Sequence, residues 1–356
     1  MNHDAGLPRV VVFSLGGTIA STNTAGETAG GVTPRLGARD LVEAVPQLQK
    51  VAELETVSFR QVASSDLTLQ DIVALAAQIT GCFEAGASGA VVTQGTDTIE
   101  ETSFALDLLV RDHRPVVVTG AMRNPTLAGP DGPANLLAAV QVAAAPEAAG
   151  LGTLVVLNDE IHAARFVRKT HTSSPATFHS PTVGRLGWMT EGRPRIAFRA
   201  PTLEGIPTGV NEQEVPPVAL LTSALGDDSR LIAQVETLGY AGLVIEALGG
   251  GHVPSHVVPV LADLASRLPV VLASRTGSGE ILRETYSFPG SERDLLSRPL
   301  IPAGFLDGPK ARILLSLLLA AGANLDRVRT AFEQINTSIT APIVSGAHPT
   351  AGATAY

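Results

Sequence analysis

Residues 90–120 read AVVTQGTDTIEETSFALDLLVRDHRPVVVTG. Two short runs of apolar and β-branched residues, Ala90–Thr93 and Pro115–Thr119, flank an amphipathic stretch, Thr98–Val110. Each run has the length of a strand and is apolar on both faces. Such strands belong in a parallel sheet covered by helices on both sides. The same alternation extends outward in both directions. Val10–Ser14, Thr153–Leu157, Pro217–Thr222, Gly242–Glu246 and Pro269–Ala273 read as further buried strands. Leu67–Thr80, Ala134–Ala144, Asp228–Leu238, Val257–Leu268, Pro309–Ala321 and Leu325–Ile335 read as helices between or after them. Alternating strand and helix predicts the α/β class.

The alternation breaks over residues 184–214, a stretch rich in Gly and Pro. RPRIAFRA (193–200) is compatible with one short edge strand; the remainder reads as a linker. The expected organisation is a larger, mostly parallel α/β domain over 1–190, a linker over 191–214 with the boundary near 208, and a smaller α/β domain over 215–335. Residues 336–356 are small and polar with scattered Pro, and read as a poorly ordered tail.

Composition narrows the class. The chain has 356 residues, 45% hydrophobic and 17% charged, enough to build a large core and unlike a disordered chain. A formal charge of -9 argues against a nucleic-acid surface. One cysteine, Cys82, excludes a disulfide within the chain and reads as a small buried hydrophobe near a helix end. No apolar run approaches the roughly 18 residues of a membrane span. MNHDAGLPR is not the basic start of a signal peptide, so a cytoplasmic protein is expected. Three of the 25 basic residues are lysines, Lys50, Lys169 and Lys310, and the other 22 are arginines. Lysine can give up its proton far more readily than arginine, so each lysine is a candidate for a specific chemical use.

In an open parallel sheet, ligands bind beyond the carboxyl ends of the strands. Four strand ends here carry Gly16-Gly17-Thr18, Gly95-Thr96-Asp97, Gly120-Ala121 and Asn158-Asp159. Two of them share a Gly-Thr pair. Glycine lets the backbone approach a ligand, and the threonine offers a hydroxyl. That hydroxyl is a weak nucleophile without a base. None of the eight histidines stands at one of these four ends, which leaves Lys169, in RFVRKTHTSS, as the candidate proton acceptor. Asp97 is placed to hold that lysine or a substrate ammonium. The competing reading is local: Thr96 or Asp97 caps the following helix, and Ser64-Ser65-Asp66 caps Leu67–Thr80. Phosphate-loop, dinucleotide and HExxH patterns are absent. His252 and His256 are four apart with Pro254 between them, a poor metal pair. Gly249-Gly250-Gly251 reads as a tight turn or an anion cradle.

VVVFSLGGTIAS, VVTQGTDTIEET, VVVTGAMRN…GPDGPANLLAAV and LNDEIHAARFVRKTHT together resemble the bacterial-type L-asparaginase/glutaminase amidohydrolases, over about residues 8–335. The resemblance implies two α/β domains, a homotetramer built from tight dimers with the active site at the dimer interface, a small amide substrate, and no metal or organic cofactor. It implies Thr18 as nucleophile and Thr96, Asp97 and Lys169 as a second triad. Ser64 and Ser65 would bind the substrate carboxylate, Asp97 its ammonium, and Ala121 would present a carbonyl to the amide. Glu292, in PGSERD, would be the acidic residue supplied by the neighbouring chain. The implied reaction is hydrolysis of L-asparagine to L-aspartate and ammonia. The alternatives are a broader glutaminase-asparaginase, a component of a tRNA-dependent amidotransferase, or a non-catalytic amino-acid sensor. The pattern departs from the family in five places, one being that the Ala121 motif ends in Asn124 where Pro is common. The loop after Thr18 lacks the tyrosine usual there, which leaves Thr22, Thr33, a water or a partner's Tyr286 to serve. HGTDT becomes QGTDT; the usual Asn of a later glycine loop is Gly250; Ser-Gln-Asp becomes Ser64-Ser65-Asp66.

Overall fold

A computed structural model describes residues 6–23, 32–34, 36–201, 210 and 215–337. Among these, the larger sheet has eight strands: β1 (Arg9–Gly16), β2 (Glu53–Val62), β3 (Gly89–Thr93), β4 (Val116–Thr119), β5 (Thr153–Leu157), β6 (Glu160–Ala163), β7 (Gly187–Thr190) and β8 (Arg193–Ile196). Their order across the sheet is β8-β7-β6-β5-β4-β3-β1-β2. The five strands from β5 to β2 are parallel, and β6, β7 and β8 add antiparallel pairs at one edge. The smaller sheet is parallel, in the order β9 (Val218–Thr222), β10 (Gly242–Ala247), β11 (Val270–Ser274), β12 (Ile301–Pro302). The helices are α1 (Ala38–Glu43), α2 (Leu69–Glu84), α3 (Ile99–Leu109), α4 (Gly132–Ala143), α5 (Arg230–Gln234), α6 (Val258–Ala265), α7 (Glu292–Leu296), α8 (Gly308–Ala320) and α9 (Leu325–Thr337).

The period of two decides what each face meets. Val11 and Phe13 of β1, with Ala90 and Val92 of β3, face a core lined by α2, α3, α8 and α9. Val10 and Val12, with Val91, face the opposite core, lined by α1 and α4. All seven are fully buried. The first core also takes Val218, Val244 and Val271 from the smaller sheet, so the two domains share it.

Connection hand follows from these faces. The steps β1–α1–β2, β2–α2–β3 and β3–α3–β4 all turn the same way: α1 lies on the opposite face from α2 and α3, but its step also runs in the opposite direction. Parallel crossovers are right-handed in about 98% of cases. The step β4–α4–β5 continues in the direction of β3–α3–β4 but passes over the other face. It is therefore left-handed.

Three features differ from expectation. β2 does not read as apolar because it is an edge strand whose side chains alternate between exposed and half-buried. Asn158 and Asp159, read as an open strand end, have φ of 50° and 59° and form the two-residue turn of the β5–β6 hairpin. β7 and β8 pair as a hairpin against β6, so the larger sheet runs to Ile196, into the stretch read as linker. The remaining linker residues 202–209 and 211–214, and the tail from 338, lie outside the described residues.

Candidate active site

The larger sheet reverses direction at β1. The chain leaves β1 for β2 on one side, then returns to β3 on the other. Such a reversal opens a crevice at the carboxyl ends of the two diverging strands. The residues that follow β1 and β3 are the two Gly-Thr pairs. Gly17 has a φ of 82°, and a Cβ there would fall onto the backbone N and Cα of Gly95. A Cβ on Gly95 would stand 2.7 Å from Ser64 Oγ. The ends of β1 and β3 thus touch through backbone, and the Ser64 side chain after β2 closes on Gly95. Thr18 opens a 3-10 turn, Thr18–Ala20, and is half-buried. Ser64 is buried in the turn after β2, and Ser65 beside it is exposed. Beyond β4, a Cβ on Gly120 would meet Gln94 O at 2.6 Å and Thr96 Cγ2 at 3.2 Å. Ala121, buried, continues from there.

The capping readings are corrected here. The N-cap of α2 is Thr68, whose hydroxyl accepts from the Asp71 N–H while Asp71 bonds back to the Thr68 N–H; Ser64–Asp66 form a separate turn. The N-cap of α3 is Thr98, with no side-chain capping bond. Thr96 Oγ1 instead accepts a hydrogen bond of 2.9 Å from Lys169 Nζ, which also donates to Asp97 Oδ1 at 2.7 Å. Thr96 is 6% exposed and the Lys169 side chain 15%, while that of Asp97 is 71% exposed. The set runs from the buried floor to solvent. Lys169 stands on a two-residue strand, Arg168–Lys169, paired with Phe178–His179. Its own N–H donates to Glu100 Oε2 at 3.0 Å.

A second layer braces the floor. Asn135 Nδ2 donates to the Gly120 carbonyl at 3.0 Å and its Oδ1 accepts from the Asn158 N–H at 3.0 Å. Asp131 accepts from the N–H groups of Met122 and Arg123. Thr98 Oγ1 accepts from Gln94 Nε2 and donates to the Ser64 carbonyl. Sequence reasoning assigned no role to Asp131, Asn135, Thr98 or Glu100. The polar residues within GPDGPAN were the available signal for the first two.

Glu292 does not join this group. It is fully buried in its own C-terminal domain. Its Oε1 accepts from the N–H groups of Thr285 (2.8 Å) and Tyr286 (2.6 Å), and its Oε2 faces His252 Nε2 at 3.2 Å. Burial alone would raise its carboxyl, but these backbone N–H donors hold it below the usual range. Both of its carboxylate oxygens thus have partners within its own chain. Its work is to fix the loop bearing Tyr286, which is 44% exposed and packs edge-on against His252. Gly249-Gly250-Gly251 forms the tight turn between Leu248 and His252. Thr22 and Thr33 stand opposite each other on the paired strands Ser21–Asn23 and Val32–Pro34, and the loop residues 24–31 lie outside the described residues.

Among the described residues, no group of three His, Cys, Asp or Glu side chains could hold a metal ion, and no helix is long and apolar enough to cross a membrane. The arrangement can do acyl transfer: a hydroxyl at the crevice mouth, and beside it a second hydroxyl in contact with an amine and a carboxylate.

Residues 9–202 match the model of the asparaginase N-terminal domain, and residues 217–332 that of the glutaminase/asparaginase C-terminal domain. L-asparaginase 2-3 of Saccharomyces cerevisiae is 34% identical over 348 residues, covering 93% of this chain and 91% of the yeast protein. A probable L-asparaginase of Deinococcus radiodurans is 37% identical, covering 93% of this chain and 98% of its own. The crystal structure of a probable cytoplasmic L-asparaginase from Campylobacter jejuni superposes with a TM-score of 0.83 at 31% identity, over 92% of this chain and 99% of that one. With both domain models matched in order, and the two strand-end Gly-Thr pairs packed together through Gly17 and Gly95 where the sheet reverses, this chain belongs to the asparaginase family.

Proposed function

We propose that the protein hydrolyses the side-chain amide of L-asparagine to L-aspartate and ammonia through an acyl-threonine intermediate. Thr18 Oγ attacks the amide carbon, the carbon–nitrogen bond breaks, and the amide nitrogen leaves as ammonia carrying the proton released by Thr18. Water then attacks the ester carbon, giving the carboxylate and restoring Thr18. Thr96 and Lys169 relay protons in both halves, and Asp97 holds Lys169 and the substrate ammonium. Ser64 and Ser65 take the substrate carboxylate, the Ala121 carbonyl faces the amide, and backbone N–H groups near Thr96 receive the oxyanion.

The observation that carries this reading is the pair of bonds from Lys169 Nζ to Thr96 and Asp97, made across more than 70 residues of sequence. A helix cap has no use for such a lysine. The test is ammonia release from asparagine by the wild type and by Thr18→Ala. A fall on the order of 10^6-fold is expected, as for deletion of a serine-protease nucleophile; equal rates would sink the assignment. We extend the proposal to a cytoplasmic homotetramer, in keeping with the Campylobacter jejuni relative described as cytoplasmic and with exposed apolar residues such as Phe198, Leu231 and Leu238. Light scattering that returns the mass of one chain would overturn that extension.

A further inference from the structure

Lys310, in the first turn of α8, is 1% exposed. A buried ammonium is costly unless it is paired and hydrogen-bonded. Lys310 Nζ donates to Asp307 Oδ2 at 3.1 Å and to the Val167 carbonyl at 2.7 Å. The second bond crosses from the C-terminal domain to the N-terminal one, and Val167 stands two residues before Lys169. Asp307 is the N-cap of α8, accepting from the Lys310 N–H, and its Oδ2 lies 3.6 Å from Arg168 Nε. On the other flank, Glu100 accepts the Lys169 N–H. All three residues of the segment Val167–Lys169 are therefore held by a charged group. Burial pushes the Glu100 carboxyl up, and the Lys310 ammonium pulls it back toward the charged form that accepts that bond.

Local structure does not require this. The helix is capped by Asp307 alone, and an apolar residue at 310 would fill the core. The strand carrying Lys169 has only two residues, so its ladder gives little purchase on where the amine sits. Misplacing a reacting group by about 1 Å can cost about 100-fold in rate.

We infer that Lys310, through the Val167 carbonyl and Asp307, is a positioning residue that seats the Lys169 amine against Thr96 and Asp97 and so ties the docking of the C-terminal domain to proton transfer. This rests on the role proposed for Lys169. The chain's three lysines make the test direct, since lysine labelled at the ε-carbon gives three NMR signals. In Lys310→Met, the Lys169 signal moves while that of Lys50 stays; kcat falls 10- to 100-fold, with KM within threefold. An unmoved Lys169 signal, or kcat within twofold of wild type, overturns the inference. If the single variant does not fold, Lys310→Met/Asp307→Asn removes both charges together and is read the same way. Wild-type turnover in Lys169→Met would instead refute the catalytic role of Lys169, while the Lys169 signal in Lys310→Met still judges the clamp by itself.

Discussion

The two parallel sheets use the same elements and differ at their carboxyl ends. In the larger sheet the strand order reverses at β1, so the chains leaving β1 and β3 diverge around a crevice. In the smaller sheet β9 to β12 follow one another without reversal. Its polar strand ends close on each other. Thr222 Oγ1 donates to Glu246 Oε2 at 2.7 Å, Ser274 Oγ to the Gly249 carbonyl at 2.6 Å, and Arg275 to the Ser223 carbonyl at 3.0 Å. A strand-end threonine is thus no mark of chemistry by itself. Thr96 differs from Thr222 because topology leaves room beside it and brings in a lysine from another strand.

The strongest way to break this contrast is at the lysine. Lys169→Arg keeps the positive charge but cannot readily release a proton. Turnover of asparagine should fall about 10²- to 10³-fold with the unfolding temperature unchanged; turnover within threefold would reduce Lys169 to an ion-pair partner. Next in size is Gly95→Ala. The added methyl presses on Ser64 Oγ and on Gly17 Cα, and forces β1 and β3 apart. A loss of about 10²-fold in kcat/KM is expected, measured beside a thermal melt to separate misfolding from misplacement. In the smaller sheet the losses should appear as stability. Glu292→Gln keeps the shape but weakens two backbone bonds, and should cost about 1–3 kcal/mol in denaturant unfolding, with kcat reduced far less than in Lys169→Arg.

A pH effect is smaller again. His162 is buried, which lowers its pKa from 6.5 to about 4 in spite of Glu160 beside it; His179 and Arg185 add to the lowering. Above the ordinary value both folded and unfolded forms are neutral. As pH falls from about 6.5 toward 4 the unfolded chain takes up a proton that the folded one does not, so stability drops. The drop should be visible in denaturant unfolding across that range, and His162→Gln should flatten that part of the profile. Smallest of all is Thr222→Val, for which asparagine turnover within twofold of wild type is expected. A large loss there would mean that the closed strand ends of the smaller sheet take part after all.

Legibility in the sequence followed the same divide. The doubly buried strands β1, β3, β4, β5, β10 and β11 show as largely apolar runs because both of their faces are covered. β2 stayed hidden because an edge strand tolerates charge on alternate residues. Thr18, Thr96, Asp97 and Lys169 could be singled out, since they follow strand ends or stand out in composition. That Lys169 meets Thr96 and Asp97 was expected from the chemistry a threonine hydroxyl needs and from the resemblance; the geometry of the contact was not legible, because it depends on the order of strands across the sheet. Glu292 is a different case. Its motif matched, but burial behind the Thr285 and Tyr286 N–H groups is a property of the folded loop. Lys310 stood out only by the scarcity of lysine, because its partner, Val167, lies 143 residues away in the other domain.

The left-handed step over α4 has a mechanical consequence. It places α4 on the face away from α3, so the site is clasped from two sides with separate cores, bridged by Phe305. Ile19, next to Thr18, and Ala121 rest on the α1–α4 side, with Asn135 bracing Gly120. Ile99, Glu100 and the Lys169 strand rest on the side that meets the C-terminal domain. Loosening the second domain would slacken the half that holds Lys169 more than the half that holds Thr18.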